Sequence, residues 1–176
     1  MARNRKLGKT TAQRKAMLRT EVTDLLLHGK IFTTVTRAKE VKAIADSIIA
    51  VGIREKDNFE LVDQKVVRAK LDNKGNKVTE LVKSKNGKEY LRVVKEEVTE
   101  KRQKDMPSRL HARRLMMKKV NKVKGTDGKN IDITAKVFGE LADKYSKAGN
   151  VGGYTRIIKA GPRRGDSAEM AILELI

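Results

Sequence analysis

The sequence predicts an α+β fold. Three observations carry that reading. Apolar residues recur at helical spacing through residues 11–55 and again through 106–149. Short β-branched runs divided by turn signals fill 55–105. Residues 154–176 read as a strand, a turn and a returning strand. Charge divides the chain the same way. The expected organisation is a basic N-terminal arm at 1–10, an α+β domain made of 11–54 and 106–176, and an inserted three-stranded β-meander at 55–105.

The elements follow in order. Thr10 or Thr11 can cap a first helix that runs to about His28 and stops at Gly29. Leu18, Val22, Leu25 and Leu26 form its apolar face. Ile31 to Val35 reads as a strand. Thr36 then caps a second helix with the stripe Ala38, Val41, Ala45 and Ile48, widened by Ile44 and Ile49, reaching roughly Glu55. In the insertion, Val66 to Leu71, Val78 to Lys83 and Tyr90 to Val98 read as strands. Residues 72–76 and 85–87 divide them, and Asn86-Gly87 fits the positive φ angles of a type I′ turn. Pro107 suits the start of a third helix, with Leu110, Leu115, Met116 and Val120 inward. Residues 125–130 are a loop. Asp132 or Thr134 starts a last helix with Val137, Phe138, Leu141 and Tyr145 on one face, stopped by Gly149. Tyr154 to Ala160 and Ala168 to Ile176 flank the turn GPRRGD, where Asp166 can bond backbone amides.

The composition narrows the function. The chain has 176 residues, with 41 Lys and Arg against 22 Asp and Glu, a net charge of +19. Self-repulsion of that size points to a polyanionic partner, nucleic acid before an anionic membrane surface. No apolar run approaches the ~18 residues a bilayer span needs. The N-terminus carries charge without an apolar core, so neither a secretory signal nor a Ser-rich transit peptide is expected. Zero cysteines exclude disulfides and cysteine-bound zinc.

GKTT at residues 8–11 looks like the tail of a nucleotide phosphate loop. That loop needs glycine five places before Gly8, where Arg3 stands, and a strand leading into it. An enzyme built on GKTT is therefore disfavoured. His28 and His111 are the only histidines, and neither a metal-ligand set nor a base–nucleophile pair is suggested around them. No catalytic residue, cofactor or metal is expected. Gly152 and Gly153 suit a chain reversal, and bare backbone there could also lie against a sugar-phosphate.

The cations are segregated. Residues 1–19 hold Arg3, Arg5, Lys6, Lys9, Arg14, Lys15 and Arg19 with no acid. Residues 106–124 hold Arg109, Arg113, Arg114, Lys118, Lys119, Lys122 and Lys124 with no acid. Arg156 to Arg164 is a third such block. Solubility needs no segregation, whereas neutralising phosphates does. Arginine's planar fork matches phosphate oxygens. With three Phe, three Tyr and no Trp, base stacking is not the expected mode. Backbone and shape recognition of a structured nucleic acid is, with the arm ordering as it binds. A DNA-compacting or nucleoid protein is the alternative, though no groove-reading helix or symmetric half-site is evident.

NRKLGKTTAQRKAMLR, TTVTRAKEVKAIAD, RLHARR and GGYTRIIKAGPRRGDSAEMAILEL, in that order, closely resemble the bacterial large-subunit ribosomal protein family L seventeen. The resemblance covers about residues 3–54 and 106–176. It implies helices packed on one side of a small mixed sheet. It implies a non-catalytic role in the cytoplasmic ribosome, binding large-subunit rRNA near the peptide exit tunnel, with protein L thirty-two as a neighbour. No membrane contact or homo-oligomer is expected. By motif position the RNA contacts fall on Arg3, Arg5, Lys6, Lys9, Arg14, Lys15, Arg19, Arg109, Arg113, Arg114, Tyr154, Arg156, Arg163 and Arg164. The insertion is the departure, since shorter family members run almost directly from the second helix to RLHARR. Its near-balanced charge points to a solvent-facing lobe, or else a protein-contact surface, rather than an RNA wedge.

Overall fold

The computed structural model describes residues 5–149 and 151–176. Arg3 lies outside the described residues. The fold is α+β. Chain contacts divide it into two compact units, Met1–Asn58 with Asp105–Ile176, and Phe59–Lys104.

In the larger unit, α1 spans Thr11–His28 and opens on a reciprocal cap. The Gln13 N–H donates to the Thr10 hydroxyl and the Thr10 N–H donates to the Gln13 side-chain oxygen, each at 3.4 Å. Gly29 ends the helix at φ 81°, a left-handed conformation that favours glycine. Strand β1, Lys30–Thr34, leads straight into α2, Val35–Glu55. The expected cap at Thr36 is not used. Helix α2 starts earlier, with Thr34 at the N-cap, and the Thr34 and Thr36 hydroxyls bond each other at 3.2 Å instead of the backbone.

Helix α2 is the centre of the unit. Ala38, Val41, Ala45, Ile48 and Ile49 are buried together with Val22, Leu25 and Leu26 of α1. Helix α3, Pro107–Met117, adds Ala112 and Met116. Residues 125–130 close a small hairpin between β6, Val123–Lys124, and β7, Asn130–Ile131. The last helical stretch runs as α4, Ile133–Lys136, a π-helical turn, Val137–Leu141, and α5, Ala142–Lys147. Asp132 caps it by accepting from the Thr134 and Ala135 N–H groups at 2.9 and 3.2 Å. The π turn was not legible in the sequence. It lies against Gly52 of α2, where a Cβ would stand 2.7 Å from Val137 Cγ1. Glycine at that position lets the two helices approach.

Strands β8, Thr155–Pro162, and β9, Glu169–Leu175, complete a sheet in the order β1-β9-β8. Both ladders are antiparallel, so the sheet is not mixed. The GPRRGD turn makes β8 and β9 a hairpin, and β1 then enters beside β9 in the opposite sense. Ala171 and Leu173 face the helical core, with Ile31, Ile157 and Leu175 partly covered against it. On the other face Phe32 pairs with Ile172, which pairs with Ile158, and Phe32 stays 64 % exposed.

The smaller unit is a nested hairpin rather than a three-stranded meander. It has four strands: β2 Phe59–Ala69, β3 Thr79–Lys83, β4 Glu89–Val93 and β5 Lys95–Asp105. The first pairs with the last and β3 pairs with β4. The 72–76 turn does reverse the chain, but its pairing stops after one bridge, Leu71 to Lys77. The Lys70 N–H then donates to the Val94 carbonyl, the Val94 N–H to the Val78 carbonyl, and β3 passes to β4. The second turn is not type I′. Only Gly87 takes a positive φ; the Asn86 N–H donates to the Ser84 hydroxyl at 3.1 Å and the Gly87 N–H to the Ser84 carbonyl at 2.9 Å.

Candidate nucleic-acid interface

Two of the acid-free basic blocks meet in one groove. The first half of α1 supplies Arg14, Lys15 and Arg19. The segment after α3 supplies Lys118 and Lys119. Leu18, Ala43 and Ile44 line its apolar part, and Glu40 is the one acid along its walls. The groove is open to solvent and encloses about 340 Å³.

Its walls are tied together by bonds that leave most of the charge outward. Arg19 Nη2 donates to the Lys118 carbonyl at 2.5 Å, and Lys119 Nζ to Ser47 Oγ at 3.5 Å. The Asn121 N–H donates to Thr23 Oγ1 at 2.8 Å, and Asn121 Nδ2 to Thr20 Oγ1 at 3.2 Å. The first turn of α1 has no acid to balance Arg14 and Lys15 against the positive end of the helix dipole. Five cations around one carboxylate repel each other, and an external anion relieves that repulsion. Lys118 and Lys119 belong to a basic block legible in the sequence, but not to the expected contact set. Nothing in the sequence shows that they fold against α1.

The described part of the arm leads into α1 and touches the start of α2. Arg5, Lys6 and Lys9 are exposed, and Arg5 Nη1 donates to the Thr36 carbonyl at 3.4 Å. Leu7 and Gly8, at φ 56° and 63°, turn the chain into the Thr10 cap. Among the described residues no strand precedes α1, and Thr10 serves as a helix cap. GKTT is therefore a cap sequence here.

Three expected contacts are turned inward. Arg109 is 5 % exposed, lies 3.3 Å from Asp105 and stands 4.7 Å above the Phe138 ring. Arg113 donates to both Asp105 oxygens, from Nε at 2.6 Å and Nη2 at 3.4 Å. Its Nη1 reaches Asp132 at 3.4 Å and Thr134 Oγ1 at 3.2 Å, and its guanidinium lies 5.3 Å from the Phe138 centroid. Burial pushes the Asp132 carboxyl up, but the Thr134 hydroxyl, the Ala135 N–H and Arg113 outweigh it and hold the group below its ordinary value. Tyr154 is 4 % exposed, its ring 5.0 Å from that of Tyr145, whose hydroxyl donates to the Tyr154 carbonyl at 3.1 Å. Arg114 alone of the RLHARR arginines is exposed. The signal for the inward pair was Asp105, four residues before Arg109 and outside the acid-free block.

Two C-terminal arginines carry their own counterions. Arg156 donates to Glu174 Oε1 from Nε at 2.9 Å and Nη2 at 2.5 Å. Arg163 grips Asp166 through two bonds of 2.9 and 2.5 Å. That grip, with the Ala168 N–H, holds the Asp166 carboxyl down at about 2. Arg164, in the same turn, is exposed. Around Gly152 and Gly153 no other group lies within 4 Å of where a Cβ would sit, so close packing inside the chain does not demand glycine there.

A family model described as ribosomal protein L17 matches residues 17–176. The chain belongs to the ribosomal protein L17 family. Relatives named large ribosomal subunit protein bL17 are similar along their whole length. That of Ruminiclostridium cellulolyticum is 53 % identical over 176 residues, and that of Acetivibrio thermocellus 51 % over 176, with both chains covered in full. That of Lachnospira eligens is 46 % identical over 185 residues, again with both covered in full. Family membership therefore does not stop at the edges of the 59–104 lobe. Among the described residues no helix is long and apolar enough to cross a membrane.

Proposed function

We propose that this chain is a non-catalytic structural constituent of the large ribosomal subunit. In this reading it binds large-subunit rRNA in the cytoplasmic ribosome, near the peptide exit tunnel and beside protein L thirty-two. The observation that supports RNA binding is the groove. Arg14, Lys15, Arg19, Lys118 and Lys119 come from two separate acid-free blocks and converge around a single carboxylate. A phosphate backbone lying there releases condensed counterions and relieves the cations' mutual repulsion. The apolar residues of the groove suit the ribose edge rather than a stacked base. Arg5, Lys6, Lys9, Arg114 and Arg164 extend the exposed positive surface. Arg109, Arg113 and Tyr154 hold the scaffold and drop out of the contact set. Arg156 and Arg163 are already neutralised and contribute less. The tunnel position and the L thirty-two neighbour rest on the family resemblance alone.

Sucrose-gradient fractionation of cell extract tests the assignment. The chain is expected to co-migrate with large subunits and to leave them at high salt. Co-purification with the nucleoid in place of the subunit rejects it in favour of DNA binding.

A further inference from the structure

We infer that the distal hairpin of the 59–104 lobe is a docking surface for another protein, one presenting an apolar patch with an acidic rim.

The physics begins with what the lobe lacks. No residue from Phe59 to Lys104 is buried. A two-stranded ribbon of this kind is marginal alone in water and gains stability only by covering a face. In β3 and β4 the register sets Leu81 directly opposite Leu91, and they are 71 % and 66 % exposed. Thr79 and Val93 extend that face on one side. On the other, Lys83 and Glu89 pair at 3.2 Å. The centre of the face is therefore apolar, and its nearest charges cancel.

Charge selects among the possible occupants. The rRNA groove of the larger unit gathers cations around one acid, whereas the lobe neutralises many of its own. Lys104 pairs with Glu60 at 2.9 Å, Arg68 pairs with Glu100, and Arg102 lies 3.5 Å from the same carboxylate. Those pairs lie on β2 and β5; on the β3–β4 face itself a phosphate backbone would meet Lys83 already paired with Glu89 and two leucines at the centre. A second copy of this chain brings another +19 of charge. A protein with an uncharged apolar patch meets neither obstacle. Lys74, Lys77, Lys85 and Lys88, exposed in or beside the two turns, suit acids at the edge of that patch. Of the two readings its balanced charge allowed, a solvent-facing lobe or a protein-contact surface, the exposed leucine pair favours the second.

The test uses site-specific photo-crosslinking in large subunits. Thr79, on the face of Leu81, is replaced by benzoylphenylalanine in the full chain, with and without the pair Leu81→Thr and Leu91→Thr. Threonine keeps strand propensity, so the hairpin is retained. The expected result is one nuclease-resistant adduct with a single subunit protein, falling roughly tenfold in the threonine pair. An RNA adduct, an adduct between two copies, no protein adduct, or a yield unchanged by the threonines overturns the inference. Because the inference rests on the ribosomal assignment, the two failures separate cleanly. A chain that never enters large subunits overturns both, while entry without a leucine-dependent protein adduct overturns the docking alone.

Discussion

The Met106 backbone N–H donates to the Asn58 carbonyl at 3.2 Å, so the chain leaves the larger unit and re-enters it at one point. Side chains reinforce this closure. Ser108 Oγ donates to Glu55 Oε2 at 2.8 Å, Asn58 Nδ2 donates to the same oxygen at 2.9 Å, and Asn58 also bonds Ser108. Those donors hold the Glu55 carboxyl below its ordinary value.

The clasp makes the insertion separable. Replacing Phe59–Lys104 with Asn-Gly, which fits a tight reversal, should leave the larger unit folded. Thermal unfolding followed by circular dichroism is expected to stay cooperative. A shortened chain that is unfolded at 25 °C would show that the lobe is part of the core after all.

Arginines of one short motif should divide into two classes. Asp105→Ala leaves Arg109 and Arg113 without their shared carboxylate in a largely buried place, and should cost about 3 kcal/mol. Arg114→Ala, at an exposed position one residue away, should change stability by less than about 0.5 kcal/mol. Urea denaturation of the two variants checks this. Equal losses would contradict the inward placement.

The groove should set the salt dependence of RNA binding. Substituting Arg14, Lys15 and Arg19 together by Ala is expected to weaken binding and flatten the slope of log K against log salt by about 2 to 3 units. Arg109→Ala should leave the slope unchanged even where it lowers stability. A slope insensitive to the triple change removes α1 from the RNA contact set.

Asp166 should titrate at about pH 2, below the 3.8 of an ordinary aspartate. Because its folded value is depressed, the charged form holds the 163–168 turn at pH above about 4. That contribution is lost as pH falls from 4 toward 2. Arg163→Ala should return the titration toward 3.8. Carboxyl carbon shifts measured by NMR across this range provide the reading, and a wild-type midpoint near 4 would refute the pairing.

Much of this protein could be read without coordinates. Thr10 and Gly29 mark the ends of α1 because caps and left-handed stops are local chemistry. The stripes at Val22, Leu25 and Leu26 and at Ala38, Val41, Ala45 and Ile48 are buried because a 3.6-residue period leaves only one face to hide. The basic blocks, the absence of cysteine and the resemblance to the L17 family are likewise properties of the string. Tertiary structure decided which cations face outward, with Asp105 four residues before Arg109 as the one local signal. Arg109 and Arg114 look alike in sequence, yet one lies over Phe138 beside Asp105 and the other meets solvent. It also decided that Lys118 and Lys119 join Arg14, Lys15 and Arg19, that the sheet is wholly antiparallel, and that β2 pairs with β5 rather than β3. Those outcomes depend on contacts between residues distant in the chain, and no local propensity or charge count encodes which distant partner a side chain will meet.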